Sequence, residues 1–531
     1  MVRGARMLDK TIRAMLGSMA AVAMLGTSAP ALAQARGTGP SDYLKCDGQP
    51  NNMTAGESIG RLIGAVTLLG IFAPPAEGSN PGARLLGAEG VAACSRLIDS
   101  EGAAAETNPE RRIPLIIARA IHQIEAADYG AALADVAKAR EEAAAAGLTG
   151  NPLFERSTGR GISMIEAHAR LRLGEIEAAR NVALSGIAQQ RHSIFGLFGY
   201  APFPEFSQTR TADEDLFNAS FTRLFPAAAF SHAARLEETG DFAGAALLRE
   251  DMIGLNDVLG AKDRASLTFA NAALAQGLAG NWERSNELAE QARTNMETRV
   301  RAGNPENNSS VAVEVLDLQA IARAAHEGRM AEARRLFSGR SAWPGVTFGS
   351  LVEVTRRLRE GASEEELTGP LAMTIEAHWQ RRRESEMASM IERDRDNRTL
   401  WRHLRTAPAE ASYRAISRDV WRLDRSRLLL AENAEGWRPL IMPSAGGAVA
   451  GLDGMVLHAA LQARHLGKRG FVMLSSPSAP QLALVRFGEP GDRGISDFRF
   501  IDAAEAIAEL EPFIPSPEVI RERERAARRR R

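Results

Sequence analysis

The segment with the clearest potential for chemistry is the glycine-rich stretch Ser444–Gly454 (SAGGAVAGLDG), between a predicted strand and a predicted helix. Backbone N–H groups in such a loop, at a helix N-terminus, can bind an anion. The candidate residues for an anion or another ligand are Ser444, Gly446, Gly447 and Gly451. The stretch has neither a P-loop ending nor a Gly-x-Gly-x-x-Gly pattern, so a flexible turn is the alternative interpretation.

The same region holds the residue types of a serine hydrolase triad, Ser444, Asp453 and His458, but no Gly-x-Ser-x-Gly elbow occurs in the chain. His458 and His465 share a helix face but lie two turns, roughly 11 Å, apart, which is too far for one metal ion. Glu392, Asp394 and Asp396 alternate with arginines, which predicts a solvent-exposed ion-pair face. We therefore expect no catalytic residue, no metal site and no cofactor.

An aromatic segment, residues 195–206 (FGLFGYAPFPEF), stands out in a chain otherwise poor in aromatic residues. Proline and glycine prevent it from continuing a helix. One hypothesis is an exposed loop that anchors a partner, because rigid apolar rings dominate interface energetics. Its candidate partner-binding residues are Phe195, Phe198, Tyr200 and Phe203. The alternative is a loop that folds back and fills the inner groove of the protein.

The only two cysteines, Cys46 and Cys94, form an even pair near the start of the predicted mature chain. In an oxidising compartment such a pair predicts a disulfide. The bond would close a loop of 48 residues, for which the chain-entropy model gives about 4 kcal/mol. Two buried free thiols are the alternative.

The first 33 residues have the pattern of a cleavable signal peptide. A basic leader precedes the apolar run Ala14–Gly26, which is too short to span a bilayer, and small residues precede a cleavage point between Ala33 and Gln34. The alternative is an uncleaved N-terminal anchor. We predict a periplasmic or secreted protein.

Charge is divided unevenly along the chain. The formal net charge of −1 includes +3 in the leader and +5 in the tail Arg521–Arg531, which leaves −9 on the body. An acidic body argues against nucleic-acid binding, since neutralising phosphates needs a basic surface. The arginine-rich tail could make weak contact with an anionic membrane surface; a solvated helix end or disordered extension is the alternative.

One short phrase recurs five times, each time after an alanine-rich helical pattern. The copies are residues 128–132 (DYGAA), 175–179 (EIEAA), 241–245 (DFAGA), 281–285 (NWERS) and 329–333 (RMAEA). Glycines that can end a helix in a left-handed conformation directly precede four copies, namely Gly174, Gly240, Gly280 and Gly328. Twelve residues before the last residue of each phrase lies another small or apolar residue, so the sequence predicts pairs of closely packed helices.

This pattern resembles the tetratricopeptide repeat, over about residues 90–360. The first-helix small positions match Ala120, Ala167, Ala233 and Ala273, the second-helix positions match Ala132, Ala179, Ala245 and Ser285, and the closing positions match Ala139, Gly186 and Ala292. The resemblance implies a solenoid that binds peptides or partner proteins on a concave face. The phrases lie 47, 66, 40 and 48 residues apart instead of about 34, so some helices or loops must be longer than in a standard unit.

Near the C-terminus the pattern changes to a β-α-β-β-α order, with strands predicted at 439–442, 470–474 and 481–486 and helices at 455–466 and 503–510. The expected fold is therefore mainly α, a TPR-like helical-repeat solenoid followed by a small α/β C-terminal module. The predicted divisions are the signal peptide 1–33, an N-terminal segment 34–105 with the disulfide, the solenoid 106–360, a charged helical connector 361–424, the module 425–515 and the basic tail 516–531.

Two functions fit this organisation. The first is a periplasmic interaction or scaffold protein that binds an envelope protein or peptide through a helical-repeat groove. The second is a small-ligand-binding or hydrolytic C-terminal module that the repeats target. The glycine-rich stretch distinguishes them, because a pocket lined by Gly446, Gly447 and Gly451 would favour the second.

Overall fold

A computed structural model describes most of the chain. It covers residues 40–50, 78–100, 106–259, 265–404, 410–443, 445, 447–476, 479–492 and 494–530. The predicted leader, residues 1–33, lies outside these ranges, as do Ser444 and Gly446. The protein is mainly helical, with a four-stranded antiparallel sheet near the C-terminus. Within the described ranges, no helix is long and apolar enough to cross a membrane.

The helices that precede the sheet are, in chain order, α1 Asp42–Cys46, α2 Gly87–Ile98, α3 Pro109–Glu125, α4 Tyr129–Ala145, α5 Arg160–Arg172, α6 Ile176–Leu184, α7 Ile194–Leu197, α8 Ala212–Leu224, α9 Ala229–Glu238, α10 Phe242–Leu259, α11 Ala265–Leu278, α12 Trp282–Arg301, α13 Ser309–His326, α14 Met330–Ser338, α15 Phe348–Arg359, α16 Ile375–Asn397 and α17 Glu410–Val420. A short turn of helix at Pro152–Phe154 and a π-helix at Glu155–Gly159 lead into α5.

Five helical hairpins form the body of the protein. They are α3/α4, α5/α6, α9/α10, α11/α12 and α13/α14, and each recurring phrase lies at the start of a second helix. The small residues of the phrases are buried where the two helices meet, as in the pair Ala273 and Ser285, where the Ser285 hydroxyl donates to the Ala273 carbonyl over 2.7 Å. Small side chains let the helices approach closely, so the predicted helix pairs are confirmed.

The turn between the helices of a hairpin needs a left-handed residue. Gly174, Gly240, Gly280 and Gly328 supply it with φ between 81° and 94°. In the first hairpin the same position is Ala127, at φ 61°. An L-residue with a Cβ is strained in the left-handed backbone conformation, so the first turn has the highest conformational energy of the five.

The wide spacing between the second and third phrases has a structural reason. The short helix α7, the aromatic segment and helix α8 are inserted there, and α8 packs between α6 and α9. The extra length is therefore an insertion between two hairpins rather than a longer hairpin.

The predicted disulfide between Cys46 and Cys94 is present, and it joins α1 to α2. Both residues are fully buried in a core with the apolar residues of α3. The His122 ring nitrogen Nε2 lies 2.8 Å from the Cys46 carbonyl oxygen, which ties the same point to α3. The N-terminal segment is thus fixed to the first hairpin.

After α15 the chain runs back along the hairpins. We call residues 375–404, which comprise α16 and the turn Thr399–His403, the return segment. Arg382 pairs with Glu238 at the end of α9 over 2.6 Å, Asp394 pairs with Arg172 at the end of α5, and Trp401 Nε1 donates to Glu125 at the end of α3 over 2.9 Å.

The return segment therefore covers the C-terminal ends of the first helices in three hairpins. The approach is close, because a Cβ at Gly161 in α5 would lie 2.4 Å from the His403 carbonyl oxygen. A residue with a Cβ at this position would therefore collide with the return segment.

The C-terminal module contains strands β1 Arg438–Ile441, β2 Gly470–Ser476, β3 Ala479–Gly488 and β4 Phe500–Asp502, and helices α18 Gly447–His465, α19 Ala503–Leu510 and α20 Pro517–Arg530. The strand order is β1-β3-β2-β4, with every pair antiparallel. The three predicted strands are confirmed, while the short edge strand β4 was not predicted.

The module shares its hydrophobic core with the helical hairpins. Ile194 and Leu197 of α7 and Leu224 of α8 are packed in one cluster with Leu457 of α18 and Phe471 of β2. Residues on both sides of the predicted boundary at residue 425 are therefore needed to complete this core.

Replacing Ala127 by Gly is expected to stabilise the protein by about 1 kcal/mol, because glycine adopts the left-handed conformation without strain. The control is Gly240→Ala at the equivalent turn, which should destabilise by about the same amount. Urea unfolding followed by circular dichroism measures both. A lower stability for Ala127→Gly would show that the left-handed turn is not strained.

The contact between α5 and the return segment is expected to weaken in acid. Burial, with the nearby charges of His403 and Arg172, holds the pKa of His168 well below 6.5. Below pH 6.5 His168 binds a proton in the unfolded chain but not in the folded chain, so the free energy of unfolding falls as the pH falls. His168→Gln should reduce the loss of stability between about pH 7 and about pH 5. An unchanged loss in this variant would exclude His168 as its source.

Candidate functional site

The fully buried carboxylate of Asp453 joins four separate parts of the chain. It pairs with Arg156 of the π-helix over 2.7 Å, and it accepts hydrogen bonds from Ser193 over 3.0 Å and from Tyr413 over 3.1 Å. The Phe195 backbone N–H also points at it over 3.5 Å. Asp453 thereby holds the π-helix, the start of α7 and helix α17 against α18.

The charged groups of this cluster depend on one another for their stability. Arg156 and Asp453 are nearly inaccessible to water, so each charge depends on the other for compensation. Burial and the Asp453 charge raise the pKa of Tyr413, which keeps its hydroxyl protonated as a donor. The guanidinium of Arg156 also stacks on the ring of Phe513 at 3.9 Å.

A cleft of about 750 Å³ opens next to this cluster. Its three walls are the π-helix and the start of α5 (155–163), the segment 185–191 after α6, and α19 with the turn that follows it (505–513). We call it the junction cleft, because two walls belong to the hairpins and the third to the C-terminal module. A cavity of this size is in the range of small-molecule sites.

The π-helix and the first residue of α5 each place an arginine at the cleft. Arg156 is stacked on Phe513, and Arg160 donates to the Ala183 carbonyl over 2.6 Å and lies 3.6 Å above the ring of Tyr200. A π-helical turn often marks a functional position, because it offsets the side chains that follow. Burial raises the pKa of Tyr200 to about 12, so its hydroxyl stays neutral beneath Arg160.

The charges that line the cleft are balanced. Three arginines (Arg156, Arg160 and Arg191) are matched by three glutamates (Glu155, Glu505 and Glu509). The carboxylates are already engaged: Glu505 pairs with Arg191 over 3.3 Å, Glu509 lies 2.9 Å from His192 Nδ1, and Glu155 accepts from the Gly150 N–H over 3.0 Å. The lining thus has no excess of either sign.

Two of the four aromatic candidates are buried. Tyr200 is 7% exposed and Phe203 is 6% exposed, with the Phe203 ring against His168. Phe195 is half-buried, and only Phe198 remains well exposed, at 43%, with its ring against Phe225. The segment folds back onto the hairpins, which corrects the hypothesis of an exposed loop with Tyr200 and Phe203 as anchors.

The glycine-rich stretch is largely helical, which corrects the prediction of a loop. Helix α18 begins at Gly447, eight residues before its predicted start. A Cβ at Gly451 would lie 2.4 Å from the Met442 side chain, and one at Gly454 would lie 2.7 Å from Ile416. These two glycines let α18 pack closely on its neighbours, and Gly451 is not among the described residues that line the junction cleft.

The residue types of a hydrolase triad are not brought together where the structure describes them. Both ring nitrogens of His458 are engaged, Nδ1 at 2.7 Å from the Val420 carbonyl and Nε2 at 2.8 Å from the Ser426 hydroxyl. Burial lowers the pKa of His458. Asp453 faces Arg156 instead. In the described part of the chain, no group of three His, Cys, Asp or Glu side chains is placed to hold a metal ion.

The predicted solvent-exposed face at 392–396 is only partly correct. Asp394 is 6% exposed and pairs with Arg172, while Asp396 is exposed and pairs with Arg395 over 2.7 Å. The basic tail is the helix α20 as far as Arg530, and the side chains of Arg521, Arg523, Arg525, Arg528 and Arg529 are exposed.

The residues that form the junction cleft were not identified from the sequence. Arg156, Gln190 and Phe513 have no local pattern that distinguishes them from other polar or apolar residues. Arg156 acquires its role from Asp453, which lies 297 residues away in sequence. The one sequence signal was the polar Asp453 inside an apolar helical pattern, which predicts a buried partner without identifying it.

Replacing Asp453 by Ala is expected to destabilise the protein by about 3–5 kcal/mol, because it leaves the Arg156 charge buried and uncompensated. Glu297→Ala is the matched control, since Glu297 pairs with Arg301 at 2.7 Å on the surface. That loss should be below about 1 kcal/mol. Chemical unfolding measures both, and equal losses would contradict a dominant role for the buried pair.

Comparisons with known proteins return no relatives. No protein-family model matches the chain, and no curated protein or solved structure is significantly similar to it.

Proposed function

We propose that this chain is an exported binding protein of the cell envelope, which recognises a partner molecule in the junction cleft. The observation that carries the proposal is the cleft itself: about 750 Å³, walled by three elements and placed beside the buried pair of Arg156 and Asp453. A concave site with a few fixed polar groups is the usual form of a ligand site. The partner is an envelope protein segment or peptide, or a small ligand.

The scaffold of this binding protein is, in our proposal, a TPR-like array. The support is the order of five hairpins, the left-handed glycines at four of the turns, and the buried small residues where the helices meet. Stacked hairpins give a rigid frame on which a site can be held.

The return segment changes where the partner is expected. The predicted site was a helical-repeat groove, and Arg382, Asp394 and Trp401 of the return segment cover the C-terminal ends of the first helices in three hairpins. The junction cleft is open instead, with Ala188 and Ala508 exposed on two of its walls. We therefore place the partner there.

Export is supported by the disulfide Cys46–Cys94, since such bonds persist in oxidising compartments. The signal-peptide pattern of residues 1–33 stays a prediction from sequence. We also propose that α20 makes weak contact with an anionic membrane surface, because its exposed arginines give it a positive charge. A smaller cavity of about 180 Å³ is bordered by Ile520 and Arg523 of α20 and by Phe513, which also lines the junction cleft. Contact of α20 with a membrane would therefore place the cleft near that membrane.

Photo-crosslinking in the native envelope tests the proposed site. A photoreactive amino acid at Ala508 of α19 is expected to capture a partner, whereas one at Ala331 of α14, away from the cleft, should not. Both positions are exposed, but only Ala508 lines the cleft.

The same preparation tests the predicted cleavage of the signal peptide. The intact mass of the recovered protein shows whether the chain begins at Gln34.

Specific capture at Ala508 should disappear when Ala188→Trp fills the cleft from another wall. Identical adducts from positions 331 and 508, or capture that persists in Ala188→Trp, would reject the junction cleft as the binding site.

A further inference from the structure

The cavity of about 180 Å³ next to helix α20 differs from the junction cleft in size and in charge. We call it the side cavity. It lies between α20, helix α17 and the short turn of helix at 152–154. Pro152, Pro512 and Phe513 line both cavities, so the two are neighbours that share one wall.

Most of the accessible surface inside the side cavity is apolar. Leu153, Phe513 and Ile520 line it and are half-buried, so part of each side chain can be reached from outside. The hydroxyl of Tyr413, another lining residue, is engaged with Asp453. An apolar cavity of about 150 Å³ is large enough to bind benzene. The side cavity therefore has room for one ring, or for one branched chain of similar size.

The charged groups of the side cavity are all of one sign. Among the described residues that line it, the charged side chains are Arg414 and Arg523, and both are exposed. The guanidinium of Arg523 makes no ion pair within the described residues. Unlike the balanced lining of the junction cleft, this lining carries a net positive charge, which favours an anionic ligand.

From this combination we propose that the side cavity binds a small monocarboxylic acid that carries one ring or one branched apolar chain. The apolar group would fill the cavity, and the carboxylate would lie on Arg523 at its edge. A guanidinium matches the planar carboxylate with two parallel N–H donors. The ligand would occupy a second site outside the junction cleft, so the inference goes beyond the proposed function.

The engagement of Arg414 favours a ligand with a single negative charge. Arg414 pairs with Glu524 of α20 over 3.4 Å, and both side chains are about half exposed. This contact shows that a carboxylate can approach the guanidinium of Arg414. It also leaves Arg523 as the lining arginine without a carboxylate in the described part of the chain, which matches one added charge.

Ligand-observed NMR titration of the purified protein tests the chemical class. The probe is 3-phenylpropionate, compared with its neutral amide, with acetate and with 2-phenylethylphosphonate. The acid should bind about fivefold more tightly than the amide, because the amide loses the ion pair with Arg523. Acetate, which has no apolar group, should bind more weakly than the acid. Equal affinity for the acid and the amide, or tighter binding of the phosphonate, would overturn the monocarboxylate class.

Substitutions on α20 test the role of the arginines. Arg523→Gln should weaken the binding of 3-phenylpropionate about fivefold. Arg528→Gln is the matched control, since Arg528 is exposed on the same helix but is not among the residues that line the side cavity. Glu524→Gln should tighten binding, because it frees Arg414. Unchanged affinity in Arg523→Gln would contradict the proposal.

Two filling variants locate the site. Ile520→Trp should abolish binding of 3-phenylpropionate without lowering the unfolding midpoint, whereas Ala188→Trp, which fills only the junction cleft, should leave binding unchanged. Binding that is lost in Ala188→Trp and kept in Ile520→Trp would reject the side cavity. Capture of a partner at Ala508 does not depend on this ligand, so this inference and the proposed function can fail separately.

Discussion

The ion pair between Arg156 and Asp453 is the constraint on which the rest of the structure depends. It is buried, and it joins the π-helix before α5 to helix α18 of the C-terminal module. Ser193 and Tyr413 complete the shell of Asp453, so α7 and α17 are fixed by the same carboxylate. Because a buried charge without its partner is strongly unfavourable, these elements have one joint position relative to each other. The walls of the junction cleft are held in place by this arrangement.

A rigid cleft between two layers suits non-covalent recognition. The polar groups at its base are fixed by packing, as Arg156 is on Phe513, and they lose little freedom when a ligand binds. The return segment covers other parts of the hairpins, because its contacts with Glu238, Arg172 and Glu125 spread along three of them. In the function we propose, binding takes place at the junction cleft, which remains open.

Local features of the fold could be predicted from the sequence, and long-range features could not. Gly240 and Ala245 identified a helical hairpin, because a left-handed turn and a close contact between neighbouring helices each depend on residues that are near in sequence. The two cysteines allowed only one intramolecular disulfide. The glycine-rich stretch was interpreted as a loop because glycine disfavours helices, but the close approach of Met442 to Gly451 requires a residue without Cβ in α18. The candidate site was not predicted, because nothing in the sequence near Arg156 indicates that Asp453 lies beside it in the fold. Strand β4 was not predicted because it is only three residues long.

The sequence separation within the buried pair also determines when the cleft can form. Arg156 lies in the first third of the chain, while Asp453 and α19 are among the last elements to be synthesised or to emerge from any pore. The early hairpins consist of neighbouring helices and can form from local contacts, which assemble quickly. The third wall of the cleft must wait until almost the whole chain is present. A partly delivered chain is therefore expected to carry folded hairpins but no junction cleft, so the binding we propose requires the completed molecule.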